Sequence, residues 1–91
     1  MLFAWIGFLK AGSEPVSQEV NLLTSDFIAQ PYVKIRSVGP LCDDKGHRAG
    51  MLMIFETNDL AAAQALVADS PYLKAGLYER SSLHEYRNEA G

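Results

Sequence analysis

Two short runs of this 91-residue chain carry apolar side chains at nearly every position. Residues 2–9 have the sequence LFAWIGFL, and residues 51–56 have the sequence MLMIFE. Runs of this length that are rich in branched and aromatic residues are typical of strands, and a strand that is apolar on both faces needs cover on both faces. The sequence therefore predicts two buried strands in a sheet that is covered on each side.

Two helices are predicted from apolar stripes that recur at intervals of three and four residues. The first spans about residues 14–29, with Ser13 and Pro15 as its start signals. The second starts at a cap formed by Thr57 or Asn58. The stripes consist of Val16, Val20, Leu23 and Phe27 in the first helix and of Leu60, Ala63, Leu66 and Val67 in the second.

Two further strands complete the pattern. Residues 32–38 alternate, which predicts a half-exposed strand. Its two faces would carry Val33, Ile35 and Ser37 on one side and Lys34, Arg36 and Val38 on the other. Residues 39–41 close this strand, and residues 42–50 form a polar loop with a turn in it. Residues 77–86 alternate weakly and are predicted as the last strand, before a polar tail at residues 87–91.

The resulting order of elements is strand, helix, strand, strand, helix, strand. It predicts a ferredoxin-like α+β fold in a single domain of residues 1–91. In this arrangement both helices cover one face of the sheet and leave the other face open. Because the first and third strands are apolar on both faces, we expect a second copy of the chain to cover the open face, sheet against sheet. The sequence therefore predicts a homodimer.

The composition argues against several classes of function. The net charge is −3 and there is no basic cluster, so neither nucleic acid nor an anionic membrane is an expected partner. Residues 2–9 are too short to span a bilayer and follow no basic residue, which makes them a poor signal peptide. The single cysteine, Cys42, cannot form an internal disulfide, and we expect a cytoplasmic protein. The two histidines have no partner at ligand spacing and no dinucleotide or phosphate-binding motif occurs, so neither a metal nor a cofactor is expected.

Several segments resemble the YciI-related (YCII) domain family, and together they cover nearly the whole chain. They are residues 1–4, 39–46, 49–52 and 70–77, the last with the sequence SPYLKAGL. The resemblance implies the dimeric α+β barrel, which is the sheet-on-sheet dimer inferred above. It also implies small-molecule chemistry related to muconolactone isomerase-like and dehydrochlorinase-like reactions on cyclic substrates.

The chain departs from the family pattern at the two residues thought to act as an acid/base pair. Family members usually carry a histidine early on the first helix, whereas Asn21 stands near that place and residues 14–29 contain no histidine. They also carry an aspartate directly before the proline of the second signature, where this chain has Ser70, with Asp69 one residue earlier. An amide cannot accept and return a proton near neutral pH, so Asn21 cannot replace an imidazole as a general base.

Four residues are candidates for a site. Asp69 and His84 are the candidate proton carriers, and Ser70 and Tyr72 are the candidate ligand contacts. Each also has a purely structural interpretation, as a turn residue, a packing residue or an exposed strand residue. If the last strand alternates regularly, His84 shares a face with Tyr78.

Two functions fit this pattern. The first is a pocket-bearing homodimer that binds a small cyclic or carbonyl-containing molecule without the family's usual pair. The alternative is an active isomerase-like or lyase-like enzyme in which Asp69 or His84 carries the proton. The two are distinguished by whether Asp69, Ser70 and His84 converge on one concave pocket beside the first helix.

Overall fold

The computed structural model describes residues 1–10 and 17–90, which form four strands and three helices. In chain order the elements are β1 (Leu2–Leu9), α1 (Gln18–Ile28), β2 (Lys34–Cys42), β3 (Arg48–Glu56), α2 (Leu60–Ala68), α3 (Pro71–Lys74) and β4 (Tyr78–Tyr86). The strands pair antiparallel in the order β2-β3-β1-β4. This confirms the ferredoxin-like α+β fold, with the two apolar strands β1 and β3 at its centre.

The core lies between one face of the sheet and the helices. The most deeply buried side chains of the sheet are Phe3, Trp5, Met53 and Phe55. They form one cluster with helix and loop residues that include Val33, Ala63, Leu66, Val67, Tyr72 and Tyr78. Helix α1 buries none of its residues fully and joins the core through the half-buried Val20 and Phe27. The described part of α1 therefore packs on the core through partly buried side chains only.

Both long helices begin at capping residues other than the predicted ones. The side chain of Ser17 caps α1 by accepting a hydrogen bond from the third helical residue, and the start predicted at residues 13–15 lies outside the described residues. Asp59 caps α2 in the same way, rather than Thr57 or Asn58. A carboxylate serves well at this position because it also meets the positive end of the helix dipole.

Strand β2 continues past Pro40, so the prediction that residues 39–41 close the strand was wrong. Pro40 pairs with Met51 of β3. A proline lacks an N–H, and it is tolerated here because β2 lies at the edge of the sheet. The turn predicted within residues 43–46 is present, and the carboxylate of Asp43 accepts two backbone N–H groups in it.

The second face of the sheet is apolar at its centre. The side chains on it include Leu2, Ala4, Ile6 and Phe8 from β1 and Leu52 and Ile54 from β3, and we call this surface the open face. Ala4 pairs with Ile54 and Ile6 pairs with Leu52, so the apolar residues of the two central strands lie side by side. All three helices contribute to the core cluster on the opposite face, and none of the open-face residues belongs to that cluster.

Candidate functional site

A register shift in β2 turns part of this edge strand toward the helices. Ile35 pairs with Phe55, but Val38 pairs with Met53, so one extra residue is inserted between them, at Arg36. Paired residues share a face of the sheet, which places Val38 on the helix side. The predicted orientation of Val38 was therefore wrong, because a bulge inverts the alternation beyond it.

A second register shift changes the face of the sheet on which the side chains at the beginning of β3 lie. This strand starts at Arg48, earlier than predicted, and the pairing with β2 shifts between Leu41 and Cys42. The side chain of Arg48 is directed to the helix side, where it reaches the hydroxyl of Tyr72. Two bulges in one strand pair thus present both Val38 and Arg48 to the same space.

A chain of two hydrogen bonds crosses this space. Nη1 of Arg48 donates to the hydroxyl of Tyr72 at 3.1 Å, and that hydroxyl donates to Oδ1 of Asn21 at 2.9 Å. The three residues come from β3, α3 and α1. Tyr72 is 4% exposed, so core packing holds its ring in place. Asn21 and Arg48 are exposed, and each is hydrogen-bonded to this buried anchor, so the three form one polar array.

The array lies in a cavity of about 380 Å³ between α1 and the β2–β3 hairpin, which we call the α1–β3 pocket. Its lining consists of Asn21, Thr24, Ser25, Val38, Gly39, Pro40, Arg48, Met51 and Tyr72. The hydroxyl of Thr24 donates to the carbonyl of Val20 within α1, at 2.8 Å. Five of these nine residues are polar or charged, and Val38, Pro40 and Met51 supply the apolar part of the lining. Convergent polar groups beside an apolar surface, at this volume, are a feature of small-molecule sites.

Tyr78 lies behind Tyr72, with 6.0 Å between the ring centroids. Its ring also packs edge-on against Trp5 at 5.6 Å. Burial raises the pKa of Tyr78 and the neighbouring Tyr72 adds to the rise, while the charge of Arg48 opposes it. Tyr78 therefore stays protonated at neutral pH and serves the pocket as a rigid support.

Asp69 lies outside the α1–β3 pocket. It is the C-terminal capping residue of α2, and its exposed carboxylate is 3.7 Å from Nζ of Lys74. It lines two cavities of about 390 and 460 Å³ that share Asp69 and Tyr32, which we call the Tyr32 groove. An exposed ion pair of this kind interacts weakly, because solvent screens both charges.

Ser70 is 2% exposed and occupies the N-cap position of α3, directly before Pro71. Its side chain makes no capping hydrogen bond, and it is not among the residues that line the α1–β3 pocket. Of the predicted ligand contacts, Tyr72 alone lies in that lining.

His84 lies on the open face, opposite Ala4. A register shift places an extra residue at Glu79, so Tyr78 faces the helices while His84 faces away from them. The prediction that these two side chains share a face was wrong for that reason. The sheet separates His84 from the helix layer, and the two candidate proton carriers do not meet in one pocket.

Two pocket residues were not predicted as ligand contacts. Asn21 was noted only as unable to act as a base, although its place on the first helix, near the histidine of the family pattern, was the available signal. Arg48 follows a turn and carries no motif. Its direction depends on a bulge that leaves no mark in a single sequence.

The family model of the YCII-related domain matches residues 8–87. This chain belongs to the YCII-related domain family. The matched range includes every described residue that lines the α1–β3 pocket. A search of curated proteins by sequence gives no match.

Two solved structures are similar to this chain to different degrees. The YCII domain is similar to 5-chloro-2-hydroxyhydroquinone dehydrochlorinase from Burkholderia phenoliruptrix AC1100, solved with 2,5-dihydroxybenzoquinone, at a TM-score of 0.81 and 22% identity, over 96% of this chain and 94% of that chain. An uncharacterized NIPSNAP domain protein from Burkholderia xenovorans gives a TM-score of 0.48 and 19% identity, over 100% of this chain and 99% of that chain. The first of these confirms the α+β fold.

Two kinds of feature, a membrane-spanning helix and a cluster of metal ligands, are considered for the described residues alone. Within residues 1–10 and 17–90, no helix has the length and apolar character needed to cross a membrane. The same residues contain no group of three or more His, Cys, Asp or Glu side chains placed to hold a metal ion.

Proposed function

We propose that this YCII domain is a homodimer that binds a small cyclic or carbonyl-containing molecule in the α1–β3 pocket. The observation that carries the proposal is the hydrogen-bonded array of Arg48, Tyr72 and Asn21 beside an apolar wall. Arg48 retains N–H groups beyond the one given to Tyr72, and the amide of Asn21 has two N–H donors of its own. A carbonyl oxygen of the ligand would accept hydrogen bonds from these donors. The ring of the ligand would pack against the apolar residues of the lining.

The dehydrochlorinase supports this ligand class. It shares the fold of this chain and was solved with 2,5-dihydroxybenzoquinone, a ring that carries two carbonyl groups. Among residues 1–10 and 17–90, no His, Asp, Glu or Lys lines the α1–β3 pocket. Tyr72 is the one described lining residue of a type that transfers protons in catalysis, and its hydroxyl is already hydrogen-bonded to Arg48 and Asn21. We therefore favour binding over acid/base chemistry at this site.

An isomerase-like or lyase-like enzyme remains the second candidate. The observation that favours it is the position of Asp69 in the Tyr32 groove, whose cavities are as large as the α1–β3 pocket. In this candidate, Asp69 carries the proton from the groove, or His84 carries it from the open face. Asp69→Asn would abolish turnover if Asp69 is the carrier, and His84→Asn would abolish it if His84 is.

The open face supports the homodimer. Six apolar side chains of β1 and β3 form its centre, and no described helix packs on it. Two such sheets packed face to face would bury both apolar sets. A C2 arrangement uses the same face of each copy, so a single chain supplies everything that the interface needs.

A cytoplasmic location is proposed as well. Cys42 is a free and exposed cysteine. Exposed free thiols persist in reducing compartments, whereas oxidising compartments favour disulfides.

Filling the pocket tests the proposed function. Val38 lines the pocket and is 41% exposed, so a Val38→Trp substitution places an indole in the cavity without disturbing the core. We expect the dissociation constant of a bound ring compound to rise by about tenfold or more, which corresponds to ~1.4 kcal/mol of lost contact. The measurement is isothermal titration with 2,5-dihydroxybenzoquinone and a panel of neutral ring ketones and lactones.

A Val38→Thr variant is the matched control, because threonine keeps the shape of valine. It should bind like the parent chain. Equal affinity of the tryptophan variant and the parent would place the binding site elsewhere. Absence of binding by every compound in the panel would reject the proposed function outright.

A further inference from the structure

We infer that the ligand of the α1–β3 pocket carries an anionic oxygen on its ring, a carboxylate or a phenolate, and that Arg48 is the residue that selects for it. The inference rests on the proposed function and deepens it, since it specifies the charge of the ligand. It starts from a charge that the described part of the protein leaves without an anionic partner.

Arg48 makes no ion pair with a described residue, which is also true of Lys10, Lys34, Lys45 and Arg80. Of these five cations, Arg48 alone lines the α1–β3 pocket. Among residues 1–10 and 17–90, the acid–base contacts within 4.0 Å are Arg36–Glu56, His47–Asp43, Lys74–Asp69 and Arg87–Glu85. Arg48 takes part in none of them, and its side-chain hydrogen bond goes to the neutral hydroxyl of Tyr72. The protein carries a net charge of −3, so this cation is not part of a generally basic surface.

The residues that line the pocket also support an anionic ligand. Arg48 is the one charged residue among the nine described residues that line it, and none of those nine carries a carboxylate. Arg48 is exposed, and a neutral ring ligand would displace water from its guanidinium without supplying a counter-charge. An anionic oxygen would balance the guanidinium and would accept a charge-assisted hydrogen bond, the stronger kind.

The geometry fixes where the anion would sit. Tyr72 is 4% exposed and receives one N–H of Arg48 at 3.1 Å, which anchors one edge of the guanidinium. The remaining N–H groups of the planar fork make no hydrogen bond to a described residue, and they suit the two oxygens of a carboxylate or the single oxygen of a phenolate. Asn21 holds the Tyr72 hydroxyl from the other side at 2.9 Å, so the anchor itself is fixed.

A pair of matched probes tests the inference. Benzoate and benzamide have nearly the same shape and differ in charge. We expect the parent chain to bind benzoate about tenfold or more tightly than benzamide, as a hydrogen bond to a charged group predicts. An Arg48→Gln variant should lose this preference, and Arg48→Lys should keep part of it because the charge remains without the fork. 4-Nitrophenolate against 4-nitroanisole repeats the comparison for a phenolate and distinguishes the two sources of the anion.

The control variant is Arg87→Gln. It removes the same charge from an exposed residue near the end of β4, outside the pocket lining, and it should keep the parent's preference. Added salt should weaken benzoate binding and leave benzamide unaffected. Equal affinity for both members of each pair, or a preference that survives Arg48→Gln, would overturn the inference and leave the proposed function standing. Failure of all probes to bind the parent would overturn both.

Discussion

Replacing Gly50 with alanine is expected to lower the free energy of unfolding by about 3 kcal/mol, the scale of an overpacked core. Gly50 is buried on β3 opposite Phe8 of the neighbouring central strand. A Cβ at this position would collide with the carbonyl oxygen of Gly7, and the next nearest atoms also belong to the backbone of β1. Backbone atoms cannot yield without breaking the pairing of β1 with β3. Urea denaturation followed by circular dichroism measures the loss.

Gly39→Ala is the matched control for this prediction. Gly39 lies on β2, and a Cβ there would meet no atom within 4 Å. The same added methyl group should leave stability unchanged or raise it slightly, because alanine restricts the unfolded chain more than glycine does. Equal denaturation midpoints for the two variants would show that β1 and β3 are not packed as closely as described.

Replacing Ile54 with glutamate is expected to convert the proposed homodimer into monomers. Ile54 lies at the centre of the open face, beside Ala4 of β1. In a symmetric dimer the substitution places two carboxylates in an apolar interface, which costs about 4 kcal/mol and weakens association on the order of 1,000-fold. Sedimentation equilibrium should give about twice the chain mass of 10.0 kDa for the parent and the chain mass for the variant.

Leu22→Glu is the control for the dimer. Leu22 is a 60% exposed leucine on α1, in the helix layer on the opposite side of the sheet, so the same change of charge there should not affect association. A parent chain that sediments as a stable monomer at micromolar concentration would contradict the homodimer. The same conclusion would follow if Ile54→Glu stayed dimeric.

Strands with a strong intrinsic pattern were predictable from the sequence alone. The predicted and observed bounds of β1 are the same, residues 2–9. A run that is apolar on both faces is recognised as a strand whichever face each side chain is assigned to. The weakly patterned β4 was also found to within a residue at its start. Hydrophobic pattern thus located the elements and, through their order, the fold.

Side-chain direction was less predictable wherever a bulge intervened. Arg36 and Glu79 mark two of the register shifts, and neither is a glycine or proline that would signal a bulge. Each shift inverts the faces of the residues beyond it. That is why Val38 and Tyr78 were assigned to the wrong sides, although their strands were found.

The candidate site was predictable only in part, because it depends on contacts between distant residues. Tyr72 was singled out from a local signature. Its partner Asn21 lies 51 residues away and its partner Arg48 lies 24 residues away, and no local pattern links them. Asp69 and His84 were chosen as the chain's nearest replacements for a missing pair, and the fold separates them.

Mapping the bound ligand by NMR tests the central claim most directly. The claim is that this YCII domain binds a small ring compound in the α1–β3 pocket. Titrating the isotope-labelled protein with benzoate should shift the amide resonances of Asn21, Val38, Arg48 and Tyr72 most strongly, since these residues line the pocket. Largest shifts in the Tyr32 groove, around Asp69, or on the open face around His84 would contradict the account.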